Sequence, residues 1–500
     1  MAENKLGSLA KQTAIYGLSS IIGRFLNYLL VPLYTYKICA EAGGPAAYGL
    51  VTNFYAYTAL LLVILTFGME TTFFRFANKE GADPNKTFST AGIAVGFVSL
   101  VFIILVSIFL KPISNALHYA EHPEFVEIMA IIVGFDAFQA ILFARLRYEN
   151  RPLKFAALKL LFIFMSIGMN LFIFLLAPKL KVSCPGLMGW YENYYQVGYI
   201  FFVNLICTCL ITLGFIPELK KLRYGLDKDL LKRMLRYTWP LLLLGLAGIL
   251  NQVADKICYR YIVPTKEGDA QLGIYGACVK IAMIMAMITQ AFRYAYEPFV
   301  FGGKRDTADK ETQAKVMKYF IIFTLLAFLA VVMYMPLLQH FVGEDYREGL
   351  GVIPIVMMAE IFMGIYFNLS FWYKLIDQTW WGAIFSAIGC AVLLAINFIF
   401  VPKYGYMACA WGGFAGYGTC MILSYFVGQK KAPIPYDLKS AFLYFAIALG
   451  LFFAQKYITI DSKAWTLVVN TGLLLVFCAF ICWMEKDLVK GVLGWIKKRK

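Results

Sequence analysis

Charge is what this 500-residue sequence has least of: only 15% of its residues are Asp, Glu, Lys or Arg. A soluble protein of this length covers its apolar interior with a largely charged surface, and so small a share cannot supply one. Histidine is scarcer still. The three present, His118, His122 and His340, fall in expected outer loops and make no buried metal site. The 11 cysteines, several inside apolar runs (Cys207, Cys209, Cys278, Cys390), form neither a metal-ligand pattern nor an extracellular disulfide framework. No GxxxxGK(S/T) phosphate loop occurs, so the chain carries no ATPase of its own. No TVGYG-like filter marks a channel. No polar stretch exceeds about twenty residues, which leaves no room for a separate glycosyltransferase or nucleotide-binding unit. No clustered acidic motif marks a membrane enzyme, so no catalytic residue and no cofactor is assigned.

What the chain has instead is apolar surface. It is 61% hydrophobic with a mean hydropathy of +0.68, gathered in blocks of roughly twenty residues, the length that crosses a hydrocarbon core. Fourteen spans are expected, at about 12–36, 47–70, 88–110, 125–146, 155–177, 195–217, 237–258, 272–298, 317–339, 351–373, 380–400, 405–427, 438–456 and 464–484. The first is read as a retained span, because no small-residue cleavage site follows it. An even count puts both termini on one side. With that side inside, inner loops, tails and span ends hold 31 of the 46 Lys and Arg, and outer ones hold 10. This positive-inside bias absorbs most of the net charge of +16. Nucleic-acid binding is excluded, since no basic stripe interleaves with exposed aromatics.

A weak internal repeat organises the spans. "AYGLVTN" at 47–53 aligns with "IYGACVK" at 274–280, so Tyr48-Gly49 and Tyr275-Gly276 stand 227 residues apart. The same offset carries Glu70, in "GMETTFFRF", onto Glu297, in "YAYEPFVFG". It links spans six apart, which run in the same direction. The expectation is an all-α polytopic membrane protein with two parallel pseudo-symmetric six-helix bundles, 1–217 and 237–428. A basic cytoplasmic linker, 218–236, joins them, and helices thirteen and fourteen with a basic tail, 429–500, form an appendage. Glu70 lies about 22 residues, or roughly 33 Å, beyond Tyr48 along an ideal helix, which places it at the inner mouth. Glu70 and Glu297 are therefore gate or ion-pair candidates. Arg293 shares a helix face with Glu297, four residues on.

Charges deeper in the membrane cost more and mean more. Arg24, about twelve residues from either end of the first span, is expected to face an aqueous cavity or a partner. Lys159, Lys256, Lys280 and Arg293 are the other intramembrane cations. Asp136 and Glu360, near mid-depth of spans four and ten, are either proton or cation sites or ion-pair struts. Asp255 and Lys256 are adjacent and point about 100° apart, so they are not expected to face each other. Asn251 takes the position equivalent to Arg24. The slight cationic excess favours an anionic solute, and a phosphate or pyrophosphate pairs naturally with Arg and Lys.

The stretches "TAIYGLSSIIGRFLNYLLVPLYTYK", "AYGLVTNFYAY", "FGMETTFFRFANK" and "LGIYGACVKIAM" resemble the bacterial polysaccharide-biosynthesis flippases of the multidrug/oligosaccharidyl-lipid/polysaccharide exporter superfamily. The resemblance covers essentially the whole chain. It implies a bacterial inner membrane location with alternating access between two six-helix bundles. It also implies transfer of an undecaprenyl-pyrophosphate-linked oligosaccharide, an O-antigen, capsule or exopolysaccharide unit, to the outer leaflet. Arg24, Lys280 and Arg293 become contacts for pyrophosphate or acidic sugars. Energy coupling stays open: Asp136, Glu360, Asp255 or the mouth glutamates are candidate sites for a coupling proton or sodium ion, and the membrane potential alone is the alternative. Membrane lipids, a polysaccharide polymerase and glycosyltransferases are the implied partners. A flippase for the lipid-linked peptidoglycan precursor and a cation-coupled multidrug exporter are the alternatives within the superfamily; a membrane scaffold of a glycan-assembly complex is the one outside transport.

Overall fold

The computed structural model describes residues 22–486 except 24, 27, 39, 187, 303–309, 377 and 459–461. The main helices in chain order are α1 Leu30–Lys37, α2 Pro45–Thr66, α3 Met69–Ala77, α4 Pro84–Ile108, α5 Pro123–Tyr148, α6 Pro152–Leu171, α7 Gln196–Leu213 and α8 Lys228–Ile262. They continue with α9 Lys266–Gly302, α10 Lys310–Met333, α11 Val352–Leu369, α12 Trp380–Tyr404, α13 Tyr406–Lys431, α14 Leu438–Tyr457 and α15 Lys463–Met484. No strand occurs among the described residues. Twelve helical segments of the described chain are long and apolar enough to cross a membrane. With α13 and the described end of the first span, α1, they occupy the fourteen expected positions.

Local chemistry explains the helix starts. Pro45, Pro84, Pro123 and Pro152 each open a helix, where the missing N–H has no intrahelical partner to lose. Asp83, Asp227 and Asp437 cap α4, α8 and α14 by accepting backbone N–H groups of the first turn. The expected second span is not one helix. It breaks at Phe67 and Gly68, with φ of 35° and 71°, and restarts as α3. Gly68 adopts the left-handed region without strain, whereas Phe67 does so against its Cβ. Glu70 therefore sits in the first turn of a separate helix, not at the end of the long one.

The chain forms two units, residues 1–277 with 380–416 and residues 278–379 with 417–500. In the first, α8 lies along α2 and α12, and α4 along α5. Lipid tails are as apolar as Leu, so packing and interhelical hydrogen bonds hold such helices together. Phe54 stacks on Phe201 with centroids 3.8 Å apart, and Phe201 meets Phe125 edge-on. The Gln139 amide on α5 donates to the Thr208 carbonyl (2.9 Å) and the Thr212 hydroxyl (2.8 Å) on α7. Gln139→Leu is expected to cost about 1–2 kcal/mol in a denaturant titration of the purified protein.

In the second unit α10 is the spine, packed against α11, α14 and α15. Glu485, just past α15, accepts from the Tyr444 hydroxyl (2.6 Å) and pairs with Lys318 in the third turn of α10 (2.7 Å). At the other end of α10, the Asn470 amide donates to the Met333 carbonyl and Thr471 bonds Tyr334. The last helix is thus fastened to α10 near both of its ends, and α14 is tied to the same network through Tyr444.

Candidate functional site

The membrane interior of the first unit holds a connected set of polar groups. Asp136 projects from α5 and is half-buried. The Thr208 hydroxyl on α7 lies 3.5 Å from both Asp136 Oδ1 and Asn204 Oδ1, and can donate to one of them at a time. Asn204 in turn donates to the Tyr55 hydroxyl on α2 at 3.2 Å. Lys159 on α6 is near enough to attract the Asp136 carboxylate through space, and its Nζ sits 4.0 Å from the centre of the Phe143 ring. These helices thus bring a carboxylate, an ammonium, an amide and two hydroxyls together where bare charge is expensive.

At one end of this unit α2 and α9 meet backbone to backbone. A Cβ on Gly49 would stand 2.0 Å from the Asp269 carbonyl oxygen, and one on Gly273 would stand 1.9 Å from that of Pro45. Only glycine lets α2 and α9 approach so closely. The Tyr-Gly pairs of the sequence repeat therefore flank the contact between their own helices. Around it, Arg260 Nε and Nη2 donate to the two Asp269 oxygens at 2.6 and 3.2 Å, and Nη2 also donates to the His118 carbonyl. The Asn53 amide donates to the Lys256 carbonyl, and Tyr119 donates to Asn53 Oδ1. Lys256 and Asp255 do face one another, contrary to the expectation from helix geometry. The flexible lysine stem curls back and sets Nζ 3.0 Å from both carboxylate oxygens. Tyr275 donates to the same carboxylate at 2.7 Å.

The opposite end carries the break in α2–α3. Thr238 on α8 donates its hydroxyl to the Phe67 carbonyl (2.8 Å) and bonds the Thr72 hydroxyl (2.8 Å), so the kink is stapled to α8. Glu70 forms an ion pair with Arg147 at the end of α5. Arg75 lies over the Tyr237 ring at 4.1 Å. Thr238→Val is expected to remove about 1–3 kcal/mol of local stability. Hydrogen exchange should show it as faster exchange of residues 66–72.

A second ion network lies at this end. Glu218, fully buried, is held by Lys154 (2.6 Å) and Arg151 (3.4 Å). Glu149 pairs with Lys221 and, at 2.8 Å, with Arg145. Burial pushes the Glu149 pKa up, but Lys221 and Arg145 together bring it below the ordinary carboxylate value. A depressed folded pKa gives stability that is complete above the unfolded value and lost as pH falls through the folded one. Thermal melts should therefore be flat above about pH 4.5 and fall below it, and Glu149→Gln should flatten that acid limb.

In the second unit, Arg293 lines a small pocket with Thr289, Phe292, Tyr296, Phe367 and Asn368, and its guanidinium lies 4.9 Å from the Phe367 ring centre. Lys280 and Glu360 are half-buried on α9 and α11 of the same unit. Arg24 and the Glu297 side chain lie outside the described residues. Sequence reasoning misses Tyr55, Asn204 and Thr208, which are uncharged, and Arg260 and Asp269, which it assigns to a loop. A carboxylate nine residues after an arginine, across a predicted turn between two spans, is the available signal for the last pair.

Three comparisons bear on this arrangement. The family model described as "Polysaccharide biosynthesis protein" matches residues 9–295. No curated protein matches the chain in sequence. Among solved structures, the fold is similar to that of the lipid II flippase MurJ in an inward closed conformation, with a TM-score of 0.71 at 15% identity, over 95% of this chain and 99% of that one. It is also similar to an inward-facing multidrug resistance MATE family transporter of the MOP superfamily, with a TM-score of 0.61 at 14% identity, over 83% and 97%.

Proposed function

We propose, from the premise that this chain belongs to the polysaccharide biosynthesis protein family, that it moves an undecaprenyl-pyrophosphate-linked oligosaccharide from the inner to the outer leaflet of a bacterial inner membrane by alternating access. The observation that carries this reading is the family match itself, which spans the half of the chain containing Asp136 and Lys159. A member of such a family built of membrane-crossing helices, with an ammonium inside them, has the elements needed to pass a glycan headgroup across lipid. In this reading Lys159, with Arg24, Lys280 and Arg293, meets pyrophosphate or acidic sugar. Asp136 takes a coupling proton or sodium ion. Both termini are cytoplasmic, as the distribution of Lys and Arg indicates, so the Glu70–Arg147 pair lies at the inner mouth. The polymerase and glycosyltransferases of the same pathway are its neighbours.

Depletion of the protein in its host tests the reading, with a membrane-impermeant sugar-modifying reagent applied to intact spheroplasts. Lipid-linked glycan should accumulate protected on the inside, and wild type but not Lys159→Ala at equal expression should reverse it. Unchanged arrival of glycan in the outer leaflet contradicts it. The fuller overlap with the lipid II flippase fold favours one second reading, in which the cargo is the lipid-linked peptidoglycan precursor. The same reagent assay, read on that lipid, separates the two. Glu70→Gln is expected to lower glycan export about tenfold while changing stability by less than ~1 kcal/mol, because the Glu70–Arg147 pair is only half-buried.

A further inference from the structure

Helix α8 begins well before its apolar part, and its first three turns are basic. Lys228, Lys232, Arg233 and Arg236 stand there with Asp229 as the acid among them, and Lys228 lies in the first turn, where the positive end of the helix dipole disfavours a cation. All four basic side chains are exposed, and none makes an ion pair or hydrogen bond within the described structure. Their spacing is regular. Lys228, Lys232 and Arg236 follow at steps of four, and Trp239 and Leu243 continue the line, so the five residues share an arc of about 80°. Trp239 is 61% and Leu243 49% exposed, and Leu235 beside them is 43% exposed. A single helix face therefore passes from ammonium and guanidinium groups through an indole to aliphatic surface. That order matches the order of a bilayer from phosphate through the interface to acyl chain. The opposite face is buried: Met234 has no exposure, and Thr238 staples the Phe67–Gly68 kink.

We infer that this outward face of α8 is a binding site for the headgroup of an anionic phospholipid, with Lys228, Lys232 and Arg236 on the phosphate and Trp239 at the interface below. Charge complementarity selects the occupant. A zwitterionic headgroup offers no net charge to offset three cations, and a soluble acidic partner makes no use of the indole and leucine that continue the same line. The site is separate from the Asp136 and Lys159 interior and stands whether or not the flippase reading does. Because Thr238 lies on the reverse of the same turns, an occupied headgroup site holds the segment that fastens the α2–α3 kink.

The test uses the purified full-length protein in neutral detergent micelles, titrated with short-chain phosphatidylglycerol or phosphatidylcholine and followed by native mass spectrometry. Wild type should retain phosphatidylglycerol at least about tenfold more tightly, and Lys228→Gln/Lys232→Gln/Arg236→Gln should lose that preference. Lys430→Gln/Lys431→Gln, which removes two cations at the end of another helix, should leave it intact. Trp239→Leu should weaken both lipids alike by several-fold, because the indole serves the interface rather than the charge. With phosphatidylglycerol bound, residues 66–72 should exchange hydrogen more slowly in wild type and not in the triple variant. Equal retention of the two lipids by wild type would mean that the cations serve membrane topology alone, and overturns the proposal. Displacement by millimolar inorganic phosphate would mark a free-phosphate site and overturns it as well. So does retention of the preference by a triple variant that melts like wild type.

Discussion

Asp269→Leu is expected to lower the unfolding free energy by about 3–5 kcal/mol. The substitution strips Arg260 of both its carboxylate contacts while leaving a guanidinium that is only 7% exposed. The His118 carbonyl and the face of Tyr119, 4.7 Å from the guanidinium carbon, do not neutralise the charge. The Asp269 side chain is itself only 17% exposed, so little solvent reaches the pair. Arg260→Leu/Asp269→Leu should recover most of the loss, since a buried pair replaced by apolar groups is often near neutral. Chaotrope titration in detergent measures both variants. A loss below ~1 kcal/mol for Asp269→Leu would mean that the pair is wet.

Gly273→Ala is expected to cost nearly as much. Its Cβ would lie 1.9 Å from the Pro45 carbonyl oxygen and 2.9 Å from the Gly49 nitrogen, both backbone atoms that cannot rotate away. The helices must part by about 1 Å or more, and overpacking of this kind costs about 3 kcal/mol. Separation at Gly273 also loosens the bond from the Asn53 amide to the Lys256 carbonyl. Hydrogen exchange over residues 45–57 should therefore accelerate about a hundredfold, the kinetic equivalent of that cost when exchange requires opening. Gly248→Ala is the control, since a Cβ there meets nothing within 4 Å, and it should leave exchange unchanged. If Gly273→Ala exchanges like wild type, the close approach of α2 and α9 is not what holds these helices together.

The sequence makes the helices legible and the polar contacts between them only in part. Runs of about twenty apolar residues bounded by Pro, Asp and Gly locate nearly every helix, because length and solvation alone decide what can cross lipid. The offset of 227 residues finds the two Tyr-Gly pairs that flank the α2–α9 contact, since close backbone approach leaves a mark in residue type. The kink at Phe67 leaves no such mark. A phenylalanine in the left-handed region is a product of tertiary context, here the Thr238 hydroxyl on its carbonyl, and propensity argues against it. Charge draws attention to Asp136 and Lys159, but Tyr55, Asn204 and Thr208 carry none and are ordinary in any membrane helix. The facing of Asp255 and Lys256 escapes the sequence because helix geometry fixes Cβ directions and not the reach of a four-carbon side chain. Residue type thus reports what lipid and backbone forbid; which polar groups meet is decided by packing between distant segments.

Transport by the purified protein is the direct test of the central claim. Wild type, Lys159→Ala and Asp136→Asn would each be reconstituted into vesicles holding an undecaprenyl-pyrophosphate-linked oligosaccharide, with an impermeant sugar oxidant added outside. In protein-free vesicles about half of the lipid should stay protected, since flip of so polar a headgroup through hydrocarbon is negligible. Wild type is predicted to expose nearly all of it, Lys159→Ala to leave protection close to that of protein-free vesicles, and Asp136→Asn to slow exposure and remove its dependence on an imposed proton or sodium gradient. Protection in wild-type vesicles equal to that in empty ones, with the protein folded and inserted, would contradict the account.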